Sequence, residues 1–301
     1  MLAIIIPYYK LIFFESTLIS LDNQTNKNFN VYIGNDGSLE NPENLIAKFQ
    51  HKFRIKYFAF KDNLGTKSLT KQWERCIDLS KDEEWIMILG DDDVLGENVV
   101  EEFYNNLTQI IKVSNVVRFA TYKINGKSKL VSDIYTHPKI EKSIDFFFRQ
   151  TRSSLSEYIF KKDKIEEIGF KNLPLAWHSD VLAVLEFSDF GNVFTINEAQ
   201  VYVRISDISI SGKTSNNIEK NKASFMFFYY LAKNRKHYFN KNQYLILLSR
   251  LDKIYLNNKK NIFLFIKISI LYFKNRMIKE YFIFLLKIIK CIIKYLKNEN
   301  R

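Results

Sequence analysis

The chain has 301 residues, of which 47% are hydrophobic and 26% charged, with a formal net charge of +12 and two cysteines. Such a chain can bury a large core in one or two domains, which excludes a disordered segment or a disulfide-stapled scaffold. The charge is uneven: residues 1–212 hold 25 Lys and Arg against 29 Asp and Glu, whereas 213–301 hold 20 against 4, a surplus of 16. Basic character confined to the tail points to a polyanionic partner there, membrane or nucleic acid.

Taken in chain order, apolar runs bounded by turn residues predict strands at 2–6, 30–34, 54–60, 84–90 and 115–122. Helical stretches fall between them near 11–21, 42–51, 67–79 and 97–110. Pro7 and Lys10 end the first apolar run too early for a signal peptide. Asn41 is placed to cap the second helix, with Pro42 at its first position. Alternation of this kind predicts an α/β fold with a mostly parallel sheet flanked by helices. Neither G-x-G-x-x-G nor G-x-x-x-x-G-K-[ST] occurs, which counts against a dinucleotide oxidoreductase or a P-loop NTPase. Further on, 153–160, 192–196 and 201–205 read as strands, 163–168 and 181–188 as short helices, and 206–217 as a polar loop. From 218 the chain reads as helical, with breaks near Asn240 and at 257–261. The expected division is a domain over 1–212 and a basic all-helical extension over 213–301. Cys76 and Cys291 lie far apart without metal-type spacing and fit a reducing compartment.

Three consecutive carboxylates, Asp91, Asp92 and Asp93, stand directly behind the apolar run WIMILG at 85–90. They fall at the carboxyl end of a predicted buried strand, where ligands bind in open α/β sheets. Adjacent carboxylates repel one another and resist full ionisation without a counter-charge. A divalent cation removes that penalty, and an oxygen-only donor set suits Mg²⁺ or Mn²⁺. The plainer reading is a solvated turn in which Asp93 caps the next helix.

The order of short motifs resembles family 2 glycosyltransferases of the GT-A fold over roughly residues 1–212. The segments are AIIIPYYK at the amino terminus, IGNDGS at 33–38, NLG at 63–65, LGDDDVL at 89–95, WHSD at 177–180 and YVRISDISISG at 202–212. The resemblance implies a nucleotide-sugar site lined by Pro7, Tyr8, Asp36, Asn63, Asp91 and Arg204, with a UDP-sugar favoured as donor. An aromatic ring at Tyr8 suits base stacking, and the Asp36 carboxylate suits a ring N–H, although Asn-Asp-Gly-Ser is also good turn sequence. Asp91 would face the ribose, and Asp92 or Asp93 would hold Mg²⁺ or Mn²⁺. Lys67 and Lys71 would either assist the diphosphate or remain surface charge. Asp180 would be the general base of an inverting transfer, although it also stands where a helix cap belongs. Trp177 and His178 would meet the acceptor, or serve the core. Three places depart from the family pattern: Lys71 and Gln72 stand where Arg and Asn are frequent, Ser179 precedes Asp180 where a Glu is usual, and Ser206 stands where a His is common. Arg204 would then lie near the diphosphate, with a loop through Ser211 and Lys213 able to close over the donor.

In the tail, Lys287, Lys290, Lys294 and Lys297 are spaced 3, 4 and 3 among Ile, Leu, Phe and Tyr. The longest uninterrupted apolar run there, 281–286, is six residues, whereas a spanning helix needs about 20. The pattern fits an interfacial helix with lysines on anionic headgroups, or a helix packed on protein. The whole reading is thus a metal-dependent transferase acting on a hydroxyl of a saccharide, lipid-linked, in capsule or O-antigen type synthesis. Its expected place is cytoplasmic, peripheral on the inner face of a bacterial plasma membrane. A degenerate transferase serving as a membrane-bound assembly partner is the main alternative. Nucleic acid is not expected, because the tail interleaves lysine with aliphatic residues rather than presenting arginine-rich polar faces.

Overall fold

The structure, a computed structural model, describes residues 1–207, 216–257 and 261–299, with side chains described as far as Ile293. The chain divides into two compact units, Met1–Asn216 and Asn217–Arg301. In the first, β1 (Leu2–Tyr8), α1 (Phe14–Asp22), β2 (Phe29–Asn35), α2 (Glu43–Ala47), β3 (Arg54–Ala59), α3 (Leu69–Ile77) and β4 (Trp85–Ile88) alternate as the apolar pattern predicts. After them come β5 (Val94–Leu95), α4 (Val99–Val113), β6 (Val116–Ile124), β7 (Ile140–Lys142), α5 (Ser143–Arg149), β8 (Tyr158–Lys161), α6 (Lys162–Ile168), α7 (Ser179–Phe187) and β9 (Asn192–Arg204).

One sheet collects all nine strands in the order β3-β2-β1-β4-β8-β6-β9-β5, with β7 also on β9. The first four strands pair in parallel, and β8 runs antiparallel between β4 and β6. Both faces are covered, which is why β1 is apolar at nearly every position rather than alternating. Leu2, Ile4, Ile6 and Tyr8 face a core with Phe14, Leu18, Val99 and Phe103, while Ala3 and Ile5 face a second core with Trp73, Cys76, Val184 and Phe187.

The runs at 192–196 and 201–205 prove to be one strand. Ile196 pairs with Phe119 and Gln200 with Ala120, so the residues between them bulge out of the β6–β9 ladder. Asn197 and Glu198 carry turn chemistry, and here it makes a bulge instead of ending the strand. The strand expected at 153–160 is shortened for a related reason: a 3₁₀ turn, Leu155–Glu157, precedes β8. Asn41 accepts the Glu43 N–H at 2.9 Å, but the start of α2 is one residue later than expected: Pro42 is the N-cap and Glu43 the first helical residue, with Asn41 ahead of the cap.

The second unit consists of α8 (Asn217–Asn234), α9 (Lys241–Asn257), α10 (Ile262–Lys274) and α11 (Ile278–Glu299). Leu247, Leu248 and Leu251 of α9 are buried, as are Ile268 and Leu271 of α10, and Tyr272 stacks on Phe284 with ring centroids 5.9 Å apart. Asp252 is buried beside them, 3.1 Å from the Tyr272 hydroxyl and 3.6 Å from the Lys287 Nζ. Burial pushes its carboxyl up to about 6 despite Lys287. The opposite faces are apolar and exposed: Ile262, Ile266, Ile270 and Phe273 on α10, and Phe282, Leu286, Ile289 and Ile293 on α11. Their three- and four-residue spacing makes each a continuous stripe. Lys290 is exposed, and the side chains of Lys294 and Lys297 lie outside the described residues. Among the described residues no helix is long and apolar enough to cross a membrane.

Candidate active site

The loops that leave β1, β2 and β4 at their carboxyl ends converge with the end of β9. The run of β4 stops at Gly90, and Asp91, Asp92 and Asp93 follow in a tight turn. A Cβ on Gly90 would lie 3.0 Å from Asp92 Oδ1 and 3.1 Å from Asp93 Oδ2, so the glycine leaves room for both carboxylates.

The three aspartates have different partners. Asp91 Oδ2 accepts the backbone N–H groups of Tyr9 and Lys10 at 2.7 and 2.8 Å, which fixes the loop after β1. Asp93 is buried, and each of its oxygens has a partner: Oδ1 accepts the Arg204 N–H at 2.8 Å and Oδ2 accepts the Ser156 hydroxyl at 2.5 Å. It caps no helix. The Asp92 carboxylate has no hydrogen-bond partner among the described residues; only its backbone carbonyl is bound, by Arg204 Nε at 2.8 Å. Withdrawal from solvent pushes Asp91 up to about 6. For Asp92, the same effect together with the charges of Asp93 and Asp91 gives about 8. Burial also raises Asp93, against its bonds to Ser156 and Arg204.

Among the described residues no three His, Cys, Asp or Glu side chains converge as a metal cage. Mg²⁺ rarely uses such a cage; one or two carboxylates hold it, and substrate phosphates and water complete the shell. The donor set here fits that pattern through Asp92, an unspent carboxylate whose ionisation a cation would favour. Arg204 stands beside it with its guanidinium 4.4 Å over the Phe13 ring. Nη1 bonds the Asn125 carbonyl and Ser128, while Nη2 is buried without a partner among the described residues. An unmet buried donor beside the turn suits an anionic ligand oxygen.

Residues expected at the nucleotide fall into two groups. Pro7 is partly exposed at the end of β1. The Tyr8 ring, expected to offer a face to a base, is wholly buried instead: it packs 4.8 Å from Phe14 and its hydroxyl donates to the Glu40 carbonyl. The exposed ring at this edge belongs to Tyr9, which is 43% exposed. Asp36 builds the wall. Its oxygens accept Leu64 N–H at 2.8 Å, Gly65 N–H at 2.9 Å and Arg75 Nη2 at 2.5 Å. Asn63 shapes the same turn by accepting the Thr66 N–H at 3.0 Å. Lys67 is exposed, and Lys71 is paired with Glu74 at 2.5 Å on the surface.

The acceptor-side residues sit at the start of α7. Asp180 lies in its first turn, and its Oδ2 accepts the Ser153 hydroxyl at 2.7 Å rather than capping the helix. The Trp177 and His178 rings meet edge-on with centroids 5.7 Å apart, both partly exposed. Leu175, Ala176 and His178 all hold positive φ, between 50° and 70°. Strain in three non-glycine residues of four is a feature of functional loops. Ser206 is partly buried, and Ser211 and Lys213 lie outside the described residues. Sequence reasoning missed Arg75, which braces Asp36, and the hydroxyls of Ser153 and Ser156. No motif marks the two serines, and only the density of serine at 153–156 hints at them.

A family model described as Glycosyl transferase family 2 matches residues 3–163. No curated protein matches the sequence. Among solved structures, S. aureus TarS 1-349 in complex with UDP-GlcNAc aligns with a TM-score of 0.65 at 15% identity, covering 84% of this chain and 72% of that one. The same protein's 1-349 structure in complex with UDP gives 0.56 at 12% identity, covering 85% and 80%. A further S. aureus TarS structure gives 0.61 at 13% identity; this chain spans 43% of its length and 84% of itself is covered. At such identities the likeness is one of fold.

Proposed function

Because the chain belongs to glycosyl transferase family 2, and is therefore a glycosyltransferase, we propose that it moves a sugar from UDP to a hydroxyl of a saccharide with inversion. The observation that carries this reading is the unspent Asp92 carboxylate beside the unmet Arg204 Nη2 at the end of β4. The UDP-GlcNAc and UDP complexes of the TarS fold relative support a uridine donor. Asp36 and Asn63 shape the base end of the pocket, Tyr9 supplies its exposed ring, and Asp91 holds the loop next to the ribose. Asp92 would hold Mg²⁺ or Mn²⁺, which supplies charge neutralisation at the diphosphate as the sugar–phosphate bond breaks. Arg204 donates to the same oxygens.

Asp180 takes the proton of the acceptor hydroxyl as its oxygen bonds the anomeric carbon and UDP leaves on the opposite face. Trp177 and His178 orient the acceptor. The apolar stripes of α10 and α11, with the lysine surplus of residues 213–301, favour an anionic membrane surface as partner. A lipid-linked saccharide at the inner, cytoplasmic face of a bacterial plasma membrane, in capsule or O-antigen type synthesis, would meet both features. This division assigns transfer to residues 1–212 and surface attachment to 213–301.

The test is calorimetric titration of UDP and GDP into the full chain with Mn²⁺ and with EDTA, repeated on Asp92→Asn. Mn²⁺-dependent UDP binding that Asp92→Asn abolishes is the expected result. No nucleotide binding by the folded protein would leave the alternative of an assembly partner that has lost the reaction.

A further inference from the structure

The segment 152–157 touches both halves of the candidate site, and the family motifs do not include it. Arg152 Nη1 binds Glu157 Oε2 at 2.6 Å and Thr121 Oγ1 of β6 at 2.5 Å, so the ends of this short stretch are tied to each other and to the sheet. Glu157 is wholly buried. Between these ends, two hydroxyls three residues apart point at two different carboxylates. Ser156 Oγ accepts the Gly90 N–H at 3.0 Å and donates to Asp93 Oδ2 at 2.5 Å. Ser153 Oγ donates to Asp180 Oδ2 at 2.7 Å and lies 2.9 Å from the Tyr158 hydroxyl.

We propose that residues 152–157 form a strap that sets the donor-side turn and the base Asp180 in register, with Ser156 and Ser153 as positioning residues. The claim rests on the transferase reading above. Each Asp93 oxygen already accepts a hydrogen bond inside the protein, Oδ1 from the Arg204 N–H and Oδ2 from Ser156, so Asp93 ties the turn to Arg204, and Ser156 holds Asp93. Asp180, in the first turn of α7, is held on its Oδ2 by the Ser153 hydroxyl at 2.7 Å. A buried ion pair adds little net stability but specifies geometry, and the Arg152–Glu157 pair closes a loop of only six residues. The strap therefore converts two remote carboxylates into one rigid arrangement, which is what a single-displacement reaction requires of its donor and its base.

The test uses the full chain and two readouts: UDP affinity with Mn²⁺ by calorimetry, and UDP release by hydrolysis of UDP-GlcNAc as probe donor, water taking the sugar in place of the acceptor. Ser156→Ala is expected to weaken UDP binding by about tenfold, the loss of one charge-assisted hydrogen bond, and Ser156→Thr to restore it. Ser153→Ala should leave UDP affinity within about twofold while slowing UDP release by about tenfold or more, with recovery in Ser153→Thr. This split between binding and turnover, with rescue by the hydroxyl, is not expected of residues that merely support the fold. Ser156→Ala binding UDP as tightly as the wild type would overturn the strap, whether or not UDP-GlcNAc is turned over. Failure of the wild type itself to bind UDP would instead remove the transferase reading, and the strap with it.

Discussion

Asp92 and Asp93 are neighbours in sequence with opposite duties. Asp93 accepts from Arg204 and Ser156 inside the protein, whereas the Asp92 carboxylate has no hydrogen-bond partner among the described residues and is proposed to hold a cation. Asp92→Asn should therefore abolish Mn²⁺-dependent UDP binding and, because burial and the neighbouring carboxylates raise the Asp92 carboxyl to about 8, raise rather than lower the melting temperature near pH 7. Asp93→Ala should lose about 1–3 kcal/mol of stability, because buried donors are left unmet; a denaturant titration decides. Asp252 offers a separate check. Its carboxyl is raised to about 6 by burial, so the neutral form favours the folded state, and stability falls as pH rises from about 4 through 6. Asp252→Asn should consequently raise the melting temperature at pH 7.5, and that gain should vanish toward pH 4. At this scale the sequence was informative about where carboxylates gather and silent about their roles. Those depend on partners 63 and 111 positions away. Tyr8 was legible in principle: counting by twos from Ile4 and Ile6 puts it under α1 rather than facing a ligand.

Among the elements, β1, β2 and β4 were readable because burial on both faces makes them largely apolar, whereas β3 is an exposed edge strand that carries Arg54 and Lys56. The bulged β9 was not readable, since turn residues inside a strand look the same in one dimension as those that end it. Local geometry also predicts a gain. Gln150 terminates α5 in the left-handed conformation, with φ of 56°, and is exposed. Gln150→Gly should stabilise the protein by about 1 kcal/mol, measured by thermal or urea unfolding, since glycine takes this cap without steric cost. The strain at Leu175, Ala176 and His178 has no such easy exit, because it delivers the start of α7 and therefore Asp180.

For the molecule as a whole, charge and exposed apolar surface coincide in the second unit. Phe263 is 73% exposed and Phe282 61%. Co-sedimentation with phosphatidylglycerol vesicles should exceed that with phosphatidylcholine and fall as salt is raised past the screening range. A Phe263→Ser, Phe282→Ser double variant should lose vesicle binding and keep UDP affinity. Equal affinity for duplex DNA, lost with the same salt dependence, would instead favour the nucleic-acid alternative. The tail's lysine count forecasts attraction to an anionic surface from composition alone. The lysine spacing among aliphatic residues already suggested an interfacial helix, and what the helices α10 and α11 add is which apolar side chains are exposed.

Gly90 bears on how the turn tolerates inherited change. A single methyl there would press on Asp92 and Asp93 from 3.0 and 3.1 Å, yet the backbone at that position asks for nothing only glycine can adopt. On the proposed reading, one inherited Gly90→Ala would press the carboxylates of the turn by a few tenths of an ångström while leaving the sheet and tail as they are.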